Sequence, residues 1–233
     1  MVTVTTLPDE AEDMTVSELH AFVVNQLVDA LRTIFGDAAL VLAEIFLRVT
    51  EPGGGGASQV SPDLLIIPGG RRGARKVYHV PAEPVPHVTV EVLSAANYET
   101  DGRAQLEQKR DLLGRVGVPT HIEIDPERGY VTVWANTGRA LAVTGPPDSR
   151  YEGPALGGLR LELEPGEVRM WMPGGREYLG ASAESARADA ASARADAAAE
   201  RAEAESARAD AAAERADRLA EVLRRHGIAP DVE

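Results

Sequence analysis

Near the start of the chain, apolar residues recur at Leu19, Phe22, Val23, Leu27, Leu31 and Ile34. Spacings of three and four predict one amphipathic helix. Thr15 and Glu18 form a capping-box pair at its start, and Gly36 ends it. The β-rich run 39–49 then predicts a first long strand, and Gly53 to Gly56 a flexible loop. Residues 64–67, closed by Pro68 and two glycines, predict a short second strand.

After prolines at 81, 84 and 86, residues 87–94 alternate as a strand. Val88, Val90 and Val92 share one face, which turns Glu91 to the other with Thr89 and Leu93. Residues 101–116 predict a helix ended by Gly117 and Pro119. Further strands are expected at 120–125, 130–135, 139–144 and 159–163. The pattern is that of an α+β domain built around one sheet.

From about residue 180 a seven-residue unit takes over, beginning at 185, 192, 199, 206 and 213. Arginine recurs at 187, 194, 201, 208 and 215, beside a seam of alanine at 188, 195, 202, 209 and 216. Alanine favours helix, and a strict heptad is the period of a supercoil. An alanine seam buries little area, so association through it is weak until Leu219, Val222 and Leu223. A long exposed helix, a weak homodimer and packing on its own domain all fit this pattern. Gly227 and Pro230 stop the helix. The expected organisation is an acidic, disordered segment at 1–13, a globular domain at 14–178, a heptad helix at 179–226 and a short tail at 227–233.

Composition narrows the chemistry. The hydrophobic fraction of 44% overstates the core, because much of it is tail alanine and aromatic residues are only 4%. The absence of cysteine excludes disulfides, thiolate metal sites and a cysteine nucleophile. No long apolar run and no secretory start are present, so the expectation is a cytoplasmic protein without a membrane span. The net charge of −13 opposes loose binding to nucleic acid. One basic cluster, Arg71, Arg72, Arg75 and Lys76, stands in a glycine-rich loop and reads equally as a solvated loop or a phosphate contact.

Three polar residues remain as candidate chemistry: Asp63 after Pro62, Glu91 in its strand, and Lys109. Two carboxylates and an amine suffice to hold a divalent metal and a water beside a phosphodiester. Lys109 lies with Leu106, Leu113 and Val116 in the apolar stripe of its helix, so it needs either a partner or a stem that snorkels to the rim.

Together Pro62-Asp63, Val90-Glu91-Val92-Leu93-Ser94, Lys109, Gly117-Val118-Pro119 and Asp125-Pro126 resemble the Uma-type family of restriction-endonuclease-like proteins. That family is placed in the PD-(D/E)xK nuclease superfamily. The resemblance spans about residues 15 to 165 and implies a restriction-endonuclease-like core, with a mixed β-sheet flanked by helices. Carried over, Asp63 and Glu91 would bind Mg2+ or Mn2+, and Lys109 would orient or deprotonate water. Leu93 occupies the superfamily's usual lysine position, and the amine comes from the following helix instead. Glu44 is an additional candidate carboxylate, and His20 matches a family position. The spacing from Asp101 to Lys109 is about one turn longer than is common, which puts Gln105 where a lysine is expected, and Thr120, His121 and Ile122 replace an acidic-aromatic run.

The resemblance implies an Mg-dependent endonuclease that hydrolyses DNA. The alternatives are a catalytically inactive module of the same fold that oligomerises or binds protein through its C-terminal helix, and a structural coiled-coil protein capped by a globular part.

Overall fold

The computed structural model describes residues 16–50, 57–70, 73 and 75–225. The expected disorder at 1–13, the Thr15 cap, the glycine loop at 53–56, Arg71, Arg72 and the tail with Gly227 and Pro230 lie outside the described residues. The chain divides into two units, Met1–Ala181 and Ser182–Glu233.

Helix α1 (Val16–Phe35) follows the predicted stripe, with Leu19, Val23, Leu27 and Leu31 buried. Phe22 stays 45% exposed, so the buried face is narrower than the sequence pattern suggests. The run 39–49 is not one strand. It forms β1 (Ala39–Ala43) and β2 (Phe46–Thr50), which belong to different sheets. Glu44 sits between them with φ of 52°, in the left-handed region that side-chain-bearing residues rarely adopt. Its N–H donates to the Asp63 carbonyl at 3.0 Å, an interaction between distant segments that no local periodicity reveals.

The remaining strands are β3 (Ala57–Val60), β4 (Leu64–Pro68), β5 (Val77–Val80), β6 (Val88–Val92), β7 (Thr120–Asp125), β8 (Tyr130–Asn136), β9 (Leu141–Val143), β10 (Arg150–Glu152), β11 (Arg160–Glu164), β12 (Glu167–Trp171) and β13 (Glu177–Tyr178). They form three sheets where the sequence pattern suggested one. The central mixed sheet runs β1-β4-β6-β7-β8-β9, a smaller one runs β3-β2-β5, and an antiparallel meander runs β10 to β13. Of the strands the sequence pattern did not predict, β3, β5, β10 and β13 span only two to four residues, too short for alternation to register, whereas β12 does alternate, with Val168 and Met170 on one face.

In the central sheet β6 pairs antiparallel with β4 and parallel with β7. Strand alternation divides this sheet into two apolar layers. Val88, Val90, Val92, Ile122 and Ile124 face α1 and the meander, in one core with Leu27, Leu161 and Met170. Leu65 and Ile67 point the other way, into a second core with Leu47, Tyr78, Leu112 and Leu113. Leu112 and Leu113 come from α2 (Thr100–Val116), which ends as predicted at Gly117, left-handed at φ of 89° and donating its N–H to the last helical carbonyls. Each aliphatic side chain fully buried in these cores contributes about 1.5 to 3 kcal/mol. Polar groups on the α2 side of the sheet are therefore held in apolar surroundings.

Helix α3 (Ala181–Arg225) makes up the described part of the second unit and has no buried residue. At 1.5 Å per residue it is about 68 Å long. Ion pairs one turn apart, such as Glu214 with Arg218 and Glu221 with Arg225, support it along its exposed surface. Leu219 and Val222 are 62% and 51% exposed. Among the described residues no helix is long and apolar enough to cross a membrane.

Candidate active site

Asp63 precedes β4 at the end of the central sheet, and β6 runs beside it. The register places Leu64 opposite Val90, so the Asp63 side chain lies against the end of β6. Its Oδ2 accepts the Val92 N–H at 2.7 Å and lies 3.3 Å from His20 Nε2, reaching across from α1. Oδ1 has no hydrogen bond among the described residues. The Asp63 carboxylate, through this hydrogen bond, raises the His20 pKa above its ordinary value, against the opposing effect of burial.

Glu91 points to the α2 side of its strand, as alternation predicts, and its side chain is only 8% exposed. Lys109 reaches it from the apolar stripe of α2. The ammonium group donates to Glu91 Oε1 and, at 2.9 Å, to the Ser61 carbonyl. Its side chain is 14% exposed, so this is a paired, inward-facing amine and not one snorkelling to water. Burial pushes the Glu91 carboxyl up to about 7. Lys109 opposes that rise, and the negative charges of Asp63 and Glu123 reinforce it. Glu91 Oε2 is buried with no hydrogen-bond partner. An unpaired carboxylate oxygen in such surroundings is costly, and a proton or a cation relieves that cost.

The other candidates separate. Glu44 is exposed, and it is close enough for its charge to help raise His20. Leu93 is buried and offers no chemistry. Arg75 is turned onto Glu83 and lies 5.6 Å from the Tyr78 ring centroid, whereas Lys76 is exposed. The basic loop is thus partly committed to internal contacts.

A second charged cluster, beside the first, went unread in the sequence. Glu123 on β7 stands in register with Glu91. It accepts from Arg110 Nη1 at 2.9 and 3.2 Å, and from the Trp134 indole N–H at 3.1 Å. The Arg110 guanidinium lies 4.5 Å from the Trp134 ring centroid. His121 is fully buried, with Nδ1 2.9 Å from the Thr89 hydroxyl and Nε2 3.5 Å from Glu123 without a hydrogen bond. Burial lowers the His121 pKa, against the opposing pull of the Glu123 carboxylate. For Glu123 burial pulls upward, but His121, Arg110 and Trp134 outweigh it and leave the carboxyl below its usual range. The available signal was alternation: His121 and Glu123 flank Ile122 and must share the face of Glu91.

Among the described residues no three acidic or histidine side chains gather closely enough to hold an ion by themselves. A cation here would be held by Asp63 and Glu91 together with water. Mg2+ commonly accepts one or two carboxylates and keeps several waters. The unpaired Glu91 Oε2 and the open Asp63 Oδ1 fit that donor set.

No protein-family model matches the chain, and no curated protein does. Among solved structures, the chain is similar to one from Anabaena variabilis ATCC 29413 described as a "putative nuclease belonging to DUF820". The two are 15% identical, with a TM-score of 0.44 over 60% of this chain and 74% of the other. A likeness of that size carries no functional argument.

Proposed function

We propose that the globular unit is a metal-dependent endonuclease that hydrolyses DNA phosphodiester bonds at Asp63, Glu91 and Lys109. The observation that carries this reading is the pairing of Lys109 with one oxygen of Glu91 while the other is buried and unpaired. Most buried side-chain oxygens have a hydrogen-bond partner, and this one has none.

Asp63 and Glu91 would hold the divalent ion, Mg2+ or Mn2+. When bound, that ion supplies Lewis acidity toward a phosphate oxygen and lowers the pKa of water. Val92 N–H and His20 fix the orientation of Asp63. The Ser61 carbonyl and Glu91 hold the Lys109 ammonium at the same end of the sheet, where it offers positive charge to oxygens that become more negative during phosphoryl transfer.

The test is incubation of the full chain with supercoiled or single-stranded DNA and Mg2+ or Mn2+, over a range of salt. Nicking or degradation by the wild type is expected, with losses of at least about 100-fold in Asp63→Ala and Lys109→Met. Intact DNA under all these conditions, with calorimetry showing that the ion binds, would reject the enzyme reading in favour of a binding module.

A further inference from the structure

Lys109 and Arg110 are consecutive on α2, and each takes a carboxylate from a different strand. Lys109 holds Glu91 on β6, and Arg110 holds Glu123 on β7. The two strands are parallel neighbours with Glu91 and Glu123 in register, so the acids stand about one strand spacing apart, roughly 4.8 Å at the backbone. Two cations facing two adjacent acids allow more than one pairing.

Side-chain shape favours one of them. Through Nη1 alone the guanidinium reaches both oxygens of Glu123, as an ammonium could, while its central carbon lies 4.5 Å from the Trp134 ring centroid; charge spread over a planar group suits Arg110 to hold acid and ring together. The Trp134 N–H adds a second donor to Oε2, so the Arg110 side of the site already offers Glu123 two partners. Lys109 is left with Glu91 and the Ser61 carbonyl.

The geometry points to Arg110 and Glu123 as positioning residues, whose ion pair against Trp134 docks α2 on β7 and thereby assigns Lys109 to Glu91. This rests on the endonuclease reading for its catalytic consequence, but the placement of Lys109 can be tested without catalysis. In Arg110→Gln, Glu123 loses its partner and draws Lys109 away. In Glu123→Gln, Arg110 is released to compete for Glu91. Either change moves the ammonium from its place beside the carboxylate pair.

The sequence contains only two lysines, Lys76 and Lys109. Full-length protein labelled with 13C,15N-lysine therefore gives two side-chain sets by NMR, assigned by Lys109→Met. In the metal-free wild type the Lys109 signal is expected to stand apart from that of exposed Lys76. In Arg110→Gln and Glu123→Gln it should shift toward the Lys76 position. Trp134→Phe, which keeps a ring and removes only the N–H donor, is the milder variant should either of the others fail to fold, and it should shift the same signal part of the way. Where DNA cleavage is measurable, kcat should fall about 100-fold, as for a misplaced catalytic group, with KM near the wild-type value. A Lys109 signal that stays in place in the folded variants overturns the inference, even if their melting temperatures fall. Absence of cleavage by the wild type counts against the endonuclease reading alone.

Discussion

Lys109 and Glu91 meet as a largely buried ion pair across the junction of α2 and β6, with one carboxylate oxygen taken by the ammonium and the other unpaired. Helix and strand thus deliver opposite charges onto the α2 face of the sheet, beside the Arg110–Glu123 pair. Removing one partner strands the other in apolar surroundings.

Lys109→Met keeps the length of the stem and removes the charge. Breaking a buried pair in this way costs about 3 to 5 kcal/mol when the remaining group must stay ionised. Glu91 can take up a proton instead, so the loss should be near the lower figure at pH 8 and much smaller at pH 5. Urea denaturation at the two pH values measures the difference, and an equal loss at both would contradict it.

The Glu91 carboxyl, raised from 4.5 to about 7, gives the native state a pH signature. Between those values the folded protein retains a proton that the unfolded chain has released. The associated stabilisation is complete below about pH 4.5 and is lost as pH rises through about 7, on the order of 3 kcal/mol in all. Glu91→Gln abolishes this titration. With a chelator present, its melting temperature should vary less over that window than the wild type's, and it should gain on the wild type above pH 7. Parallel profiles would show that Glu91 does not titrate there.

His20 shows the corresponding behaviour for a base. Its folded-state pKa is raised above 6.5 by the hydrogen bond to Asp63. Its stabilising effect is therefore full below pH 6.5 and lost as pH rises through the raised value. His20→Gln should lower the melting temperature more at pH 6 than at pH 9. Asp63 keeps its bond from Val92 N–H, so the variant should still fold. A pH-independent difference would argue that His20 acts through packing alone.

Gly114 controls how closely α2 approaches β9. A Cβ added there would fall 2.8 Å from both Ala140 Cα and Leu141 N, which are backbone atoms with little room to yield. Gly114→Ala should destabilise the protein by about 1 to 3 kcal/mol as the helix and strand separate. It should also shift the Lys109 NMR signal, because both residues are on the same helix. Chemical denaturation measures the first effect, and a change within about 0.5 kcal/mol would mean that the contact relaxes freely.

The sequence by itself determined what depends on local geometry. Strand alternation turned Glu91 away from Val88, Val90 and Val92, and the 3.6-residue period placed Lys109 among Leu106 and Leu113, because both periods are built into the backbone. The alanine heptads likewise specified a long helix. Tertiary structure decided everything set by the meeting of distant segments. His20 and Asp63 are 43 positions apart, Lys109 and Glu91 18, and Arg110 and Glu123 13. Only strand register and helix docking bring each pair together. The same limit hid the break at Glu44, where a left-handed residue bonded to Asp63 sends β2 into another sheet. It also hid the register that sets Glu123 beside Glu91. Backbone periodicity gives a side chain its face, but its partner depends on which elements pack against that face.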